Sequence, residues 1–332
     1  MLSRFILFIV VLLGIALVTL AIDFKKFFEA PLNVTSEHTL YELKPGANIR
    51  KVANTLVESG FISHPYYFIA LARWQGVADQ IKAGEYEIKT GTTPPQFLKQ
   101  IVDGKVTQYS VTLIEGLTFR QALTTIHANK NLLHHLVGKN DQQIMAELGW
   151  PDEHPEGRFF PDTYHFIRGM SDVDILRRSY QTMQKYLEEA WSKREKDLPL
   201  KNSYEALILA SIVEKETGLR SEQREIAGVF IRRLNRKMRL QTDPTVIYGM
   251  GDRYDGNIRR RDLIELTPYN TYRIPALPPT PIALPGGAAI DAVMHPLKGK
   301  TLYFVSKGDG SHYFSETLEE HNRAVTQYQL KR

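Results

Sequence analysis

The sequence of 332 residues contains no cysteine. This absence excludes disulfide bonds, thiol catalysis, zinc sites built from thiolates and lipid attachment through cysteine. Low-complexity segments and long runs of one charge are also absent, and 43% of the residues are hydrophobic. The chain is therefore not a largely disordered protein. Its length predicts two or three folded units, each with a core of its own.

The charge balance is only mildly basic. Lys and Arg number 42 against 37 Asp and Glu, which gives a formal net charge of +5. Such an excess suits an anionic polymer or a membrane surface. A nucleic-acid-binding protein usually carries a denser basic patch, so we expect no nucleic-acid partner.

One long hydrophobic run begins near the N-terminus and covers residues 5–22. As a helix it would be about 27 Å long, near the thickness of a bilayer core. A cleaved signal peptide is the alternative, but its apolar core is expected to have only about 7–15 residues. We therefore predict an uncleaved transmembrane helix at 5–22. Residues 1–4 would then be a cytoplasmic tail, and the remaining chain would lie outside the cytoplasm.

Two further units are predicted after a linker at 23–36. Alternating residues at 39–43 and 84–88 indicate strands, and helical spacing lies between them. This order in residues 37–105 resembles a LysM-like glycan-binding module, although a plain α+β spacer explains the pattern equally well. Residues 106–332 are predicted to form a larger α+β domain dominated by helices, with an irregular loop at 268–285 that holds six of the 17 prolines.

The most informative segment is a predicted buried helix at 202–217, capped by Asn202 and stopped by a left-handed Gly218. Its last turn carries two carboxylates. At 100° per residue, Glu216 falls on the apolar stripe of the helix, while Glu214 points almost opposite. We therefore expect one special carboxylate rather than a facing pair.

An acid at the end of a buried helix is disfavoured as an anion. Desolvation raises its pKa, and the negative end of the helix dipole acts in the same direction. A glutamic acid kept protonated in this way is suited to general acid catalysis. In the alternative interpretation, both glutamates emerge at a frayed helix end and pair with basic neighbours such as Lys215, Arg220 or Arg224.

Several segments together resemble one enzyme family. The longest are ASIVEKET at 210–217 and RLQTDPTVIYG at 239–249, and shorter ones occur at 115–116, 160–164, 269–272, 277–282, 285–286 and 303–305. In this order they strongly resemble the endolytic murein transglycosylases, also called the YceG-like family, over nearly the whole chain.

The resemblance implies a single-span protein of the inner membrane, with its module and catalytic domain in the periplasm. The implied activity is non-hydrolytic cleavage of the β-1,4 bond between N-acetylmuramic acid and N-acetylglucosamine, which leaves 1,6-anhydromuramic acid ends and terminates growing strands. Glu216 is the expected catalytic residue, with Glu214 as the fallback. The implied partners are peptidoglycan glycan strands and penicillin-binding synthases.

Four further residues are candidates for substrate binding. Gln241 and Asp243 form a polar edge before Pro244, although Asp243 and Pro244 could equally be an ordinary helix start. Asn270 and Tyr272 lie in the proline-rich loop, where an amide and a hydroxyl could bind acetamido groups and sugar hydroxyls.

We expect no metal and no cofactor, because no histidine shows a ligand spacing such as HExxH and no complete nucleotide-binding motif is present. Two other functions remain open from the residues: a muramidase that uses water, and a non-catalytic glycan-binding scaffold that recruits wall synthases.

Overall fold

The computed structural model describes residues 2–330. Met1, in the predicted tail, and residues 331–332, at the end of the predicted catalytic domain, lie outside the described part. The chain folds as two compact units. The first extends to Tyr109 and includes Phe166–Arg168, and the second comprises Ser110–His165 and the chain from Gly169 onward.

The N-terminal helix α1 covers Leu2–Glu29 and has 28 residues, which corresponds to about 42 Å. Within its stretch Arg4–Glu29, an 18-residue window has a mean hydropathy of 3.2 and is not buried inside the protein, so the helix is long and apolar enough to cross a membrane. The helix continues well past residue 22, into the predicted linker.

The rest of the predicted linker is also ordered. Phe27, near the end of α1, packs on Tyr67 with ring centroids 5.5 Å apart. Leu32 and Val34 are buried in the core of the first unit, and the Leu32 amide donates to the carbonyl of Thr92 at 2.8 Å. Residues 23–36 thus differ from a free linker, because their apolar side chains join the helix and the core.

The first unit has the predicted order of strand, two helices and strand, followed by one more helix. Its elements are β1 (Thr39–Leu43), α2 (Ile49–Glu58), α3 (Pro65–Trp74), β2 (Gly84–Ile88) and α4 (Pro94–Asp103). The two strands are antiparallel, with Tyr41 opposite Tyr86. Both tyrosines pack edge-on against the ring of Phe97, so the strands and α4 share one core.

The second unit is dominated by helices, which confirms the mixed α+β prediction. Its elements are β3 (Tyr109–Thr112), α5 (Phe119–His127), α6 (Asp141–Leu148), β4 (Thr163–Phe166), α7 (Asp172–Ser192), α8 (Ser203–Glu216), α9 (Arg220–Asn235), α10 (Asp243–Met250), α11 (Arg260–Ile264), α12 (Gly287–Met294), β5 (Tyr303–Ser306), β6 (His312–Ser315) and α13 (Leu318–Tyr328). The strands pair as β3–β4 and as an antiparallel β5–β6 hairpin.

Helix α8 lies at the centre of the second unit, in contact with α7, α9, α10 and α12. All residues from Ala206 to Val213 are buried, as expected for a helix that is apolar on every side. The proline-rich segment before α12 is irregular, and the buried Ser211 hydroxyl accepts a hydrogen bond from the Ile282 amide at 3.0 Å. This bond fixes the loop against the helix that carries the two carboxylates.

Candidate active site

Helix α8 begins as its sequence predicts but ends differently. The Asn202 side chain accepts a hydrogen bond from the Glu205 amide at 2.9 Å. The helix ends at Glu216 because Thr217 adopts extended backbone angles, with φ −146° and ψ 134°. The predicted left-handed stop at Gly218 is wrong, since this glycine has no positive φ. The early end places Glu216 in the last helical position.

Glu216 has the environment of a general acid. Its Oε1 accepts a hydrogen bond from the Thr242 hydroxyl, whereas Oε2 receives no donor from within residues 2–330. Burial raises the pKa of Glu216 from 4.5 to about 7. The negative charge of Asp243 adds to this rise, and the Thr242 hydrogen bond and the Arg233 charge oppose it. Near neutral pH the carboxyl group can therefore both hold and release a proton.

Thr242 is held in place by hydrogen bonds between its own turn and Thr271. Gln241 before it has a left-handed backbone with φ 53°, which costs about 1–2 kcal/mol for a residue with a side chain. The Gln241 amide donates to the Thr271 carbonyl at 3.2 Å, and the Thr242 amide donates to the Thr271 hydroxyl at 3.0 Å. These bonds hold the strained turn and aim the Thr242 hydroxyl at Glu216.

Arg233 of α9 supports the same turn from the other side. Its buried guanidinium donates through Nη1 to the Leu240 carbonyl at 2.7 Å and to Gln241 Oε1 at 3.4 Å. Nε donates to the Leu302 carbonyl at 2.7 Å. One side chain therefore connects α9, the turn before α10 and the start of the final hairpin.

Asp243 and Tyr272 form a polar pair next to the acid. The Tyr272 hydroxyl donates to Asp243 Oδ1 at 2.6 Å, and burial and this carboxylate raise the tyrosine pKa far above its usual value. Thr242 is the N-cap of α10, so Asp243 lies in its first turn together with Pro244. The polar edge and the helix start, weighed as alternatives from the sequence, are the same structure.

Comparison with known proteins identifies the family. The model of the YceG-like family matches residues 41–327, which is most of the chain. The chain belongs to the YceG-like family. The family resemblance inferred from the motifs is thereby confirmed.

Individual relatives agree with this assignment. An endolytic murein transglycosylase of Bacillus subtilis is 29% identical over 320 residues, which cover 90% of this chain and 87% of the relative. One of Streptococcus pneumoniae is 25% identical over 90% of this chain, which spans only 60% of that relative. The crystal structure of a YceG-like protein of Listeria monocytogenes superimposes with a TM-score of 0.56 at 28% identity, over 86% of this chain and 98% of that one.

Asn270 of this YceG-like chain is not placed to bind a ligand. It is 1% exposed, and its amide nitrogen lies within hydrogen-bonding distance of three backbone carbonyls, those of Asp262, Leu263 and Glu265. Its oxygen accepts from the Tyr272 amide at 3.0 Å. The structure corrects the sequence-based expectation, because the side chain fixes the loop that presents Tyr272.

Glu214 lies on another face of α8, as the helical phase predicts. Its Oε2 accepts a hydrogen bond from the Gly286 amide at 3.0 Å. Burial raises its pKa, the Gly286 bond opposes the rise and the nearby Glu115 adds to it. Glu214 thus contacts the loop before α12, whereas Glu216 contacts the turn before α10.

A second acid with a strongly raised pKa was not foreseen from the sequence. Glu156 is 4% exposed, and burial raises its pKa from 4.5 to about 7. Its Oε1 accepts from the Phe119 amide at 2.9 Å, and its Oε2 accepts from the Tyr248 hydroxyl at 3.0 Å. Glu156 stands in a Pro-Glu-Gly turn, and such a local pattern does not reveal burial by distant helices. The supporting role of Arg233 was not predicted either. The one indication in the sequence is a basic residue close to the apolar residues 229–231 of α9.

Proposed function

We propose that this chain is a membrane-anchored lytic transglycosylase that cleaves murein glycan strands internally. The name carried by its relatives from Bacillus and Streptococcus supports the substrate class. The observation that carries the chemistry is Glu216, a carboxyl group with a pKa near 7 and an oxygen that receives no donor from residues 2–330.

In the proposed mechanism one residue is first acid and then base. Protonated Glu216 gives its proton to the glycosidic oxygen as the bond from that oxygen to the anomeric carbon of the muramic acid breaks. The carboxylate then takes the proton of the muramic 6-hydroxyl, whose oxygen bonds to the anomeric carbon. The product carries a 1,6-anhydro ring and Glu216 is protonated again, so no water and no second base are needed.

The neighbours of Glu216 suit this cycle. Asp243 is exposed and its negative charge raises the pKa of Glu216, which favours the protonated starting state. The same charge would stabilise the positive charge that develops on the sugar ring. We assign Gln241, Asp243 and Tyr272 to sugar binding at this edge, with Thr242 orienting the carboxyl group.

We also propose how the remaining chain serves this activity. Helix α1 would anchor the protein in the inner membrane, with the bulk of the chain in the periplasm. The unit at 37–105, with its order of strand, two helices and strand, would bind glycan as a LysM-like module. A tether of this kind would keep the enzyme beside penicillin-binding synthases, where cleavage ends the elongation of new strands.

The test is digestion of uncrosslinked glycan strands by the full-length protein, with Glu216→Gln and Glu214→Gln compared by product mass. We expect anhydromuramic ends from the wild type and from Glu214→Gln, and none from Glu216→Gln. Loss of activity in Glu214→Gln alone would transfer the catalytic role to Glu214. Products heavier by one water would indicate a hydrolytic muramidase, and binding without cleavage by the wild type would indicate a scaffold.

A further inference from the structure

A cluster of possible metal ligands lies outside the proposed active site. It consists of His127, His134 and Asp172, and is called the His–Asp cluster below. One ring nitrogen of each histidine and one carboxylate oxygen all lie within 4.8 Å of one another. His127 ends α5 and Asp172 begins α7, so the ligands are brought together by the fold. No short sequence motif contains all three.

The spacing of two of these atoms fits a zinc ion. His127 Nε2 and Asp172 Oδ2 are 3.2 Å apart. Two ligands that each lie about 2.0–2.1 Å from a tetrahedral zinc are themselves roughly 3.3 Å apart. A zinc ion in place of the proton between His127 and Asp172 therefore requires almost no change in the distance between these two atoms.

Asp172 is already held in a fixed orientation. It is completely buried, and its Oδ1 accepts from the amides of His135 and Val173 at 3.0 and 2.9 Å. Its Oδ2 accepts from the Leu136 amide at 3.0 Å. Hydrogen bonds of this kind hold the carboxylate ligands of protein metal sites in position.

His134 has the exposure and the tautomer that a third ligand requires. The residue is exposed, so an ion can reach its ring from solvent. Its Nε2 lies 3.1 Å from the carbonyl oxygen of Asn129, and because a carbonyl can only accept, Nε2 carries the proton in the neutral ring. The lone pair of Nδ1 remains for a metal.

We propose that the His–Asp cluster is a binding site for one divalent late transition-metal ion, with zinc as the best match. Two imidazoles and a carboxylate suit zinc better than calcium or magnesium, which prefer oxygen ligands. Solvent beside the exposed His134 can supply the fourth ligand. The ion would join the end of α5, the segment around residue 134 and the start of α7.

The experiment uses the full-length protein in detergent, with its affinity tag removed so that no other histidine-rich segment binds metal. Zinc affinity and stoichiometry are measured by calorimetry, together with the melting temperature with and without zinc. His134→Ala and His127→Gln test the ligands. His135→Ala is the matched control, because this exposed histidine is in the same segment and is not part of the cluster.

We expect one zinc per chain and a higher melting temperature with zinc for the wild type and for His135→Ala. Affinity should fall at least about tenfold in His134→Ala and His127→Gln, while circular dichroism shows both variants folded. The proposal is overturned if the wild type retains no zinc, or if His134→Ala binds it as tightly as the wild type. In the first case His127 and Asp172 form an ordinary hydrogen-bonded pair, and in the second the zinc does not bind at the His–Asp cluster as defined.

Discussion

Two carboxyl groups in the second unit have the same raised pKa and different surroundings. Burial raises the pKa of both Glu156 and Glu216 to about 7. Both oxygens of Glu156 accept hydrogen bonds from protein donors, the Phe119 amide and the Tyr248 hydroxyl. From donors within residues 2–330, Glu216 receives one such bond, from Thr242, and the residue is only partly buried.

The difference separates a structural acid from an acid that can react. A group can transfer a proton to a substrate only if one of its oxygens can reach the substrate. The oxygens of Glu156 are already used to join the N-terminus of α5 to α10, whereas Glu216 keeps Oε2 available at a polar edge. A raised pKa alone therefore does not distinguish Glu156 from Glu216, the proposed catalytic residue, whereas the number of hydrogen bonds that each carboxyl group accepts does.

The largest expected effect is on activity. Glu216→Gln should reduce the release of anhydromuropeptides at least about 10²-fold, because general acid catalysis contributes about 10²–10⁴-fold. Glu156→Gln should stay within a few-fold of the wild type, because a glutamine can accept from the Phe119 amide and donate to the Tyr248 oxygen. Rates are compared on the same glycan strands. Equal losses in the two variants would show that the comparison between the two acids is wrong.

For stability we expect the opposite order: substitution of Glu156 should have a larger effect than substitution of Glu216. Glu156→Leu leaves a buried amide and a buried tyrosine hydroxyl without their acceptor, which should lower the free energy of unfolding by about 3 kcal/mol. Glu216→Leu leaves only the Thr242 hydroxyl without its acceptor, and should change stability by about 1 kcal/mol or less. Denaturant unfolding at pH 7 measures both. A larger loss in Glu216→Leu would make Glu216 the structural residue of the two.

The pH dependence of stability gives a third contrast. The folded-state pKa of Glu156 is raised to about 7, so between about pH 4.5 and 7 the folded state holds a proton that the unfolded state releases. Stability therefore falls as the pH rises through this window. Glu156→Gln removes this contribution, and its stability relative to the wild type should increase by about 2 kcal/mol from pH 5 to pH 8. Parallel curves for the two proteins would contradict the raised pKa.

The sequence predicts the local features of this fold better than the distant contacts. The apolar run of α1, the order of elements in the first unit and the burial of α8 follow from hydrophobic patterns. The placement of Glu214 and Glu216 on different faces of α8 follows from helical phase. Such patterns cannot show that the amide nitrogen of Asn270 lies within hydrogen-bonding distance of three backbone carbonyls, because those partners depend on how the loop folds.

The same reasoning explains why the sequence did not reveal the roles of Arg233 and Glu156. Arg233 donates to the Leu302 carbonyl only in the folded chain, and Glu156 meets Phe119 and Tyr248 only there as well. In each case the sequence shows a charged residue of ordinary appearance, and its partner is far away along the chain. Charge and spacing along one element located the catalytic candidate, while its supporting contacts required the structure.

The smallest expected effect concerns the hydrogen bond from the Thr242 hydroxyl to the Glu216 carboxyl group. The Thr242 hydroxyl stabilises the anion and so lowers the pKa of Glu216; the bond contributes about 1 kcal/mol. Thr242→Val removes the donor and keeps the size of the side chain, so the pKa should rise and the basic limb of the pH–rate profile should move to higher pH. Thr242→Ser keeps the hydroxyl and should retain the wild-type profile. Because the Thr242 amide still bonds to Thr271 in both variants, a shift in Thr242→Val alone would assign the effect to the hydroxyl. An unchanged profile in both would show that burial and the charges of Asp243 and Arg233 set the pKa of Glu216 without the hydroxyl.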